Sequence, residues 1–296
     1  KKETGCCSLD SINDARQLAV DCSFPHTILD IREEFGDFII DNFVDEYIAG
    51  RTPNPCVLCN THIKWEALLK RADMLKCKYI ATGHYAQVRE ENGRFVVSKG
   101  LDESKDQSYV LWGVTQECLK RTIFPMGKFH KKDIKQMAID RGYKSLAAKS
   151  ESYEICFIPD QDYKKFITMR SPTTPGNFID KKGGILGKHP GIHYFTIGQR
   201  KGIGIAHKEP LYVININAKK NEVIVGNREA LAIKKIFVKD INLLSKVEDY
   251  NGNLFIKVRS TGRLIKAKVN LNNTSAEVNL EELENGISPG QACVFY

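Results

Sequence analysis

Apolar residues recur at helical spacing through the first half of the chain. Ile12, Ala15, Leu18, Ala19 and Cys22 line one face, with Ser8, Asp10 and Ser11 ahead of them as caps. Phe35, Phe38, Ile39, Phe43 and Tyr47 draw a second amphipathic helix, stopped near Gly50. Residues 51–60 read as a Pro-rich loop, and Ile63 to Leu75 as helix again. His26-Thr27-Ile28-Leu29 reads as a short strand, and Tyr79-Ile80-Ala81-Thr82 as a short buried strand that runs into Gly83. Alternation of this kind predicts a parallel sheet flanked by helices.

The second half changes period. Pro172, Pro175, Gly176, Gly183, Gly184, Gly187, Pro190 and Gly191 punctuate a turn-rich stretch. After Pro210 the pattern alternates at period two. Leu211-Tyr212-Val213-Ile214 and Glu222-Val223-Ile224-Val225 flank a turn at Lys219-Lys220-Asn221. Phe255-Ile256-Lys257-Val258-Arg259, Ile265-Lys266-Ala267-Lys268-Val269 and Ala292-Cys293-Val294-Phe295 follow. Short strands with few helices predict a small antiparallel β-barrel. The expected organisation is an α/β parallel-sheet domain over 1–150, a small central domain over 151–207 and the barrel over 208–296.

Composition narrows the class. The chain has 296 residues, 42% hydrophobic and 27% charged, an ordinary globular balance. It has no apolar run long enough to span a bilayer, and Lys1-Lys2-Glu3-Thr4-Gly5 has no apolar core behind its charges, so neither a membrane span nor a signal peptide is expected. A cytoplasmic protein is the expectation. The net charge of +8 fits a polyanionic partner and equally a solvated lysine-rich surface. Nine cysteines are too irregular for a secreted disulfide framework. Cys22, Cys77, Cys118 and Cys293 sit among apolar residues and read as core positions.

Candidate chemistry gathers in a few segments. In Gly50-Arg51-Thr52-Pro53-Asn54-Pro55-Cys56-Val57-Leu58-Cys59-Asn60, two prolines stiffen a stretch that presents a C-x-x-C pair. The pair reads as half of a metal site, a redox pair, a nucleophile with an accessory thiol, or two buried thiols. Thr82-Gly83-His84-Tyr85 follows a strand, where open α/β sheets bind ligands, and Gly83 would let backbone approach one closely. His84 could contact a phosphate or base, or simply cap the turn. Lys105-Asp106-Gln107-Ser108-Tyr109 offers polar groups suited to phosphates and base edges, or an exposed turn. Cys156, in Ser152-Tyr153-Glu154-Ile155-Cys156-Phe157-Ile158-Pro159, sits in an apolar strand-like run and reads as a core cysteine or a third thiol that meets Cys59. His193-Tyr194-Phe195-Thr196-Ile197-Gly198-Gln199-Arg200-Lys201-Gly202 mixes rings, cations and glycines, as RNA contacts or an ordinary hairpin would.

Taken in order, G-R-T-P-N-P-C-x-L-C-N, A-T-G-H-Y-A, K-D-Q-S-Y, E-I-C-F-I-P, the 194–204 stretch and Ser288-Pro289-Gly290-Gln291 resemble the tRNA-specific 2-thiouridylase family over nearly the whole chain. The resemblance implies an adenine nucleotide alpha hydrolase-like first domain and a tRNA-uridine 2-sulfurtransferase that uses ATP and Mg2+. In that reaction ATP adenylates the C2 oxygen of the wobble uridine. A persulfide on Cys156, loaded by a sulfur-carrier protein, supplies sulfur, and Cys59 completes transfer, with a Cys59–Cys156 disulfide as a product. It further implies that Asn54, Pro55 and Cys56 lie against the target base, that Gly83 contacts ATP, and that His84, Lys105, Asp106, Gln107, Arg259 and Gln291 contact tRNA.

Two departures from the family pattern change these expectations. The family's initial strand and S-G-G-x-D-S phosphate loop have no counterpart; Ser8-Leu9-Asp10-Ser11 mimics only its tail, so the sequence is expected to start some tens of residues late. Some members carry Asp where this chain has Cys56. The substitution creates a three-cysteine set, Cys56, Cys59 and Cys156, and with it an iron–sulfur cluster as an alternative. A non-catalytic tRNA-binding fragment and a metal-dependent redox protein are the other readings.

Overall fold

The structure is a computed structural model that describes residues 9–149, 155–158 and 160–296. The cap at Ser8, the N-terminal residues 1–7, and positions 152–154 and 159 of the Cys156 run lie outside them. Helix α1 is Leu9–Asp21. A second continuous helix, α2, joins Arg32–Phe35, a π-helical turn Gly36–Ile40, and Asp41–Ile48. Its buried stripe is Ile39, Phe43 and Tyr47, spaced one turn apart, while Phe38 faces out and stacks on His62 at 5.2 Å. Helix α3 joins Pro55–Leu58, a π-helical stretch Cys59–Ala67, and Leu68–Met74.

Strands β1, Ile80–Ala81, and β4, Thr122–Ile123, pair in parallel. Between them β2, Ala86–Glu91, and β3, Arg94–Lys99, form a hairpin. Its turn residues Asn92 and Gly93 both have positive φ, 52° and 77°, the tight turn that matches strand twist. Trp65, Leu69, Ile80, Leu111, Leu119 and Phe124 form the core of this α/β unit. Each fully buried side chain of this size contributes roughly 1.5–3 kcal/mol. A small helix, α4, Tyr163–Arg170, leads into the central unit.

The central sheet runs in the order β6-β5-β8-β7, with β5 Gly176–Ile179, β6 Ile185–His189, β7 Tyr212–Asn217 and β8 Glu222–Gly226. The boundary expected at 207/208 falls ahead of the last two strands of this sheet. The hairpin of β7 and β8 belongs to the central sheet, because β8 pairs in parallel with β5 and buries Val223 and Val225 against Phe178 and Phe195. The last sheet is β13-β10-β11-β12-β9, antiparallel throughout: β9 Ala232–Lys239, β10 Gly252–Lys257, β11 Ile265–Asn272, β12 Ser275–Asn285 and β13 Val294–Phe295. In β11, Ile265, Ala267 and Val269 point inward and Lys266, Lys268 and Asn270 outward. A bulge in β12 between Asn279 and Glu284 bends it.

Three local expectations fail for physical reasons. Residues 26–29 are not a strand: among the described residues no strand runs beside them, so their backbone has no ladder and Ile28 stays exposed. Cys22 and Cys77 are exposed, because each sits just past a helix end, where the apolar stripe has already turned away; Cys118 is buried and Cys293 half-buried. Cys156 lies in a turn rather than a strand. No helix among the described residues is long and apolar enough to cross a membrane.

The units are tied by polar contacts. Arg94 donates to the carbonyls of Leu243 and Leu244, Asn242 to those of Trp112 and Val114, and the Tyr109 hydroxyl to that of Ala292 at 2.9 Å.

Candidate functional site

The C-x-x-C segment is mostly helix, not loop. Asn54 caps α3 by accepting the Cys56 N–H at Oδ1, 3.2 Å, and Pro55 occupies the first helical position, where its missing N–H costs nothing. The Pro-rich loop therefore shrinks to residues 51–54. Val57 is buried, Cys56 exposed and Cys59 half-buried. Three residues apart, the two cysteines share one helical face, and Cys59 sits where α-helix passes into π-helix. Below them Asn60 is buried and donates to the Val110 carbonyl at 3.0 Å, which fixes the rotation of the helix.

Upstream, α2 ends at Gly50, whose φ of +76° and 2.8 Å approach of a virtual Cβ to Ile216 both demand glycine. Arg51 folds back on Glu46 through two bonds of 2.5 and 2.7 Å. Thr52 then receives ties from two other units. Its N–H donates to the Pro289 carbonyl at 2.8 Å, and its carbonyl accepts from Gln291 Nε2 at 2.6 Å. Its hydroxyl lies 3.5 Å from that of Thr196.

Cys156 is exposed on a turn whose neighbours anchor it. The Phe157 ring meets Phe35, Phe43 and Phe166 at 5.7, 5.3 and 5.4 Å, and Ile158 is buried with Phe43 and Ile167. The turn is thus fastened to α2, the helix whose π-turn packs on α3 through Phe38 and His62. Among the described residues no group of three or more His, Cys, Asp or Glu side chains is placed to hold a metal ion. Cys56, Cys59 and Cys156 form no such group.

Gly83 is exposed at the carboxyl end of β1, with open space where a Cβ would stand. That fits backbone approach by a nucleotide. His84 is 7% exposed, its Nδ1 lies 2.8 Å from Thr82 Oγ1, and its ring packs beside Trp65 and Phe124. Asp106 is also occupied, accepting from the Gly100 and Ser108 N–H groups and the Ser108 hydroxyl. Both have partners within the turns they occupy. Gln107 joins these turns, its Oε1 accepting the Tyr85 N–H at 3.0 Å and its own N–H donating to the Tyr85 carbonyl at 2.9 Å. Lys105 is half-buried at the end of a short 3-10 turn.

A cavity of about 750 Å³ opens where the three units meet. Thr52, Gln199, Arg228, Arg259, Asn285 and Gln291 are among its lining residues, and no carboxylate is. Two guanidinium groups and no counter-charge make it a site for an anion or a polar base edge. Arg259 donates to the Gly286 carbonyl, which holds it against the wall. Gly198 and Gly286 meet there at φ of +89° and +69°, with a virtual Cβ on Gly198 only 3.4 Å from the Gly286 Cα. Thr52 and Arg228 were not identified from sequence. Thr52 acts through backbone groups, and Arg228 is a single cation without a motif around it.

Burial pushes His84 from 6.5 down to about 4, with Lys64 adding repulsion, and burial also lowers His189 and His193. Each takes a proton more readily unfolded than folded. From about pH 6.5 down toward 4 the unfolded state binds more protons, and stability falls as pH falls. The thermal midpoint is expected to be flat above neutrality and to drop steadily through that window, less steeply in His84→Phe. A midpoint unchanged down to the lower end would show that His84 is not held neutral.

Comparison with known proteins places this geometry. Residues 1–160 match the family model described as tRNA methyl transferase HUP domain, 164–227 that described as tRNA methyl transferase PRC-barrel domain, and 233–296 that described as Aminomethyltransferase beta-barrel domain. The second match ends at the close of β8, where the central sheet ends. A tRNA-specific 2-thiouridylase of Cytophaga hutchinsonii is 52% identical over 304 residues, covering 100% of this chain and 82% of its own length. Its counterparts in Amoebophilus asiaticus and Clostridium perfringens are 53% and 42% identical, again over 100% of this chain and 81% and 83% of theirs. With three family models matched in order and relatives matched over the whole of this chain, the chain belongs to the tRNA-specific 2-thiouridylase family.

Proposed function

We propose that the protein is a tRNA-uridine 2-sulfurtransferase that replaces the C2 oxygen of a wobble uridine with sulfur at the expense of ATP. The observation that carries the reading is the pair of cysteines at the start of α3, on the segment whose Thr52 lines an arginine-bearing cavity, in a chain 52% identical to a named 2-thiouridylase.

The chemistry divides between the units. Gly83 gives the nucleotide room at the end of β1, and Mg2+ offsets the charge of its phosphates. The uracil C2 oxygen attacks the α-phosphorus, pyrophosphate leaves, and the oxygen becomes part of a good leaving group. The terminal sulfur of a persulfide on Cys156 then attacks C2 and AMP departs, leaving the base joined to Cys156 through two sulfurs. The Cys59 thiolate attacks the Cys156 sulfur, releasing the thiolated base and forming a Cys59–Cys156 disulfide. An external dithiol returns the pair to thiols, and a persulfide-bearing carrier protein reloads Cys156. The exposure of Cys156 suits a protein donor.

Asn54, Pro55 and Cys56 lie against the target base in this scheme. Lys105, Gln107 and Arg259 supply polar contacts to the tRNA, and His84 and Asp106 act through the turns that carry Gly83 and Gln107; Gln291 lines the same cavity as Arg259. Incubating the full-length protein with an unmodified wobble-uridine tRNA, ATP and a persulfide donor should convert the tRNA to a form retarded in an organomercury gel. Omitting ATP should abolish the shift. Tight tRNA binding without conversion under these conditions would instead support a binding module.

A further inference from the structure

Thr52 is the one described residue of the cysteine-bearing segment whose N–H, carbonyl and hydroxyl each have a neighbour outside the α/β unit. The barrel takes the N–H at Pro289 and the carbonyl at Gln291, and the central unit lies 3.5 Å from the hydroxyl at Thr196. The turn 288–291 is built for this. Gly290 has φ of +91°, and a Cβ there would stand 3.0 Å from both the Thr52 nitrogen and the Thr52 oxygen and 3.1 Å from the Arg51 Cβ. Only glycine lets the barrel backbone lie flat on the Arg51-Thr52 backbone. Ser288 is buried and lies 3.4 Å from the Ile197 carbonyl, which fastens the same turn to the central unit.

From Thr52 to Cys56 the chain has little freedom. Pro53 and Pro55 fix their own φ angles and restrict Thr52 and Asn54, and Asn54 is held as the helix cap. A displacement at Thr52 therefore passes to the first turn of α3 rather than being absorbed by the loop.

We propose that the barrel turn 288–291 is a positioning device for the cysteine-bearing helix, with Gln291 and Gly290 acting through Thr52. The Gln291 amide nitrogen is committed to the protein, and its main part in the reaction is to hold Cys59 in register with the reacting base. Arg259 lines the same cavity, so tRNA seated there and the loop geometry are read by one turn. The turnover arm of the test rests on the sulfur-transfer reading; the labelling arm does not.

The test uses Gln291→Ala and Gly290→Ala in the full-length protein, with residue-resolved iodoacetamide labelling and steady-state thiolation. Gln291→Ala removes one side-chain donor without touching the backbone, and it carries the test if Gly290→Ala does not fold. In Gln291→Ala, labelling of half-buried Cys59 should quicken at least about threefold while exposed Cys77 keeps its rate and buried Cys118 stays protected. Turnover at saturating tRNA should fall about tenfold or more, since small misplacements of reacting groups cost up to about 10²-fold, with half-saturation little changed. Cys59 labelling at the unmodified rate overturns the proposal even if the protein proves not to thiolate tRNA. Weakened half-saturation with full turnover at saturation also overturns it, and makes Gln291 a tRNA contact.

Discussion

Serine in place of Cys156 or Cys59 should abolish 2-thiouridine formation and leave the fold intact. Cys156 is exposed on a turn and Cys59 only half-buried, so exchanging sulfur for oxygen at either position should change stability by no more than about 0.5 kcal/mol. The chemical loss is of another order. A hydroxyl carries no persulfide, and at neutral pH it is a far poorer nucleophile than a thiolate. Removing a nucleophile from an enzyme that uses one costs on the order of 10³-fold or more. Cys56 differs: it lies in the first turn, exposed, with its N–H held by Asn54, and in the scheme it faces the base without exchanging sulfur. Cys56→Ser should keep activity within about tenfold, one decade being about 1.4 kcal/mol in the barrier. Single-turnover thiolation of each variant, beside its thermal midpoint, checks both halves of the expectation.

The second large effect is structural. Trp65→Ala should lower the unfolding free energy of the α/β unit by about 3–5 kcal/mol, the usual loss for a fully buried large ring. Trp65 has no exposed surface, and its indole N–H donates to Thr122 Oγ1 at 2.7 Å, which in turn donates to the Cys118 carbonyl at 2.7 Å. The same ring lies 5.5 Å from His84 and 6.0 Å from Phe124. One side chain thus locks α3, which begins with the two cysteines, to β4 and to the turn that carries Gly83. Trp65→Phe separates the contributions. It keeps most of the buried area but strips Thr122 of its donor, so about 1–3 kcal/mol should be lost. Urea unfolding of both variants gives the comparison; equal losses would mean that the hydrogen bond, not the ring volume, governs this site.

What the sequence made legible follows from which signals are periodic. Strand β11 could be read residue by residue, because Ile265, Ala267 and Val269 alternate with Lys266, Lys268 and Asn270 across a half-buried sheet. Helix α2 was legible from Ile39, Phe43 and Tyr47. The start of α3 was misread as loop, since two prolines suggest stiffness, whereas Asn54 followed by Pro55 is the signature of a capped helix start. Residues 26–29 carry strand composition, but composition does not say whether a neighbouring strand exists. The hairpin of β7 and β8 was legible but its pairing with β5 was not, because β5 lies 45 residues before β8 in the chain and local pattern does not report such pairings. The cysteine motifs emerged as an ordered set. Their setting did not: Thr52 works through its N–H and carbonyl, which no side-chain pattern encodes, and the packing of His84 against Thr82 and Trp65 is reported by no local motif.

Sulfur transfer to tRNA in the proposed reaction rests on thiol chemistry at Cys59 and Cys156. Its most direct measurement is thiolation by the anaerobically purified full-length protein, with iron and acid-labile sulfide determined on the same sample, for the unmodified protein and its three single Cys→Ser variants. Thiol chemistry predicts ATP-dependent activity that does not follow iron content, lost with Cys59→Ser and Cys156→Ser and retained with Cys56→Ser. Activity that rises and falls with bound iron and sulfide, and is lost equally on replacing Cys56, would contradict it.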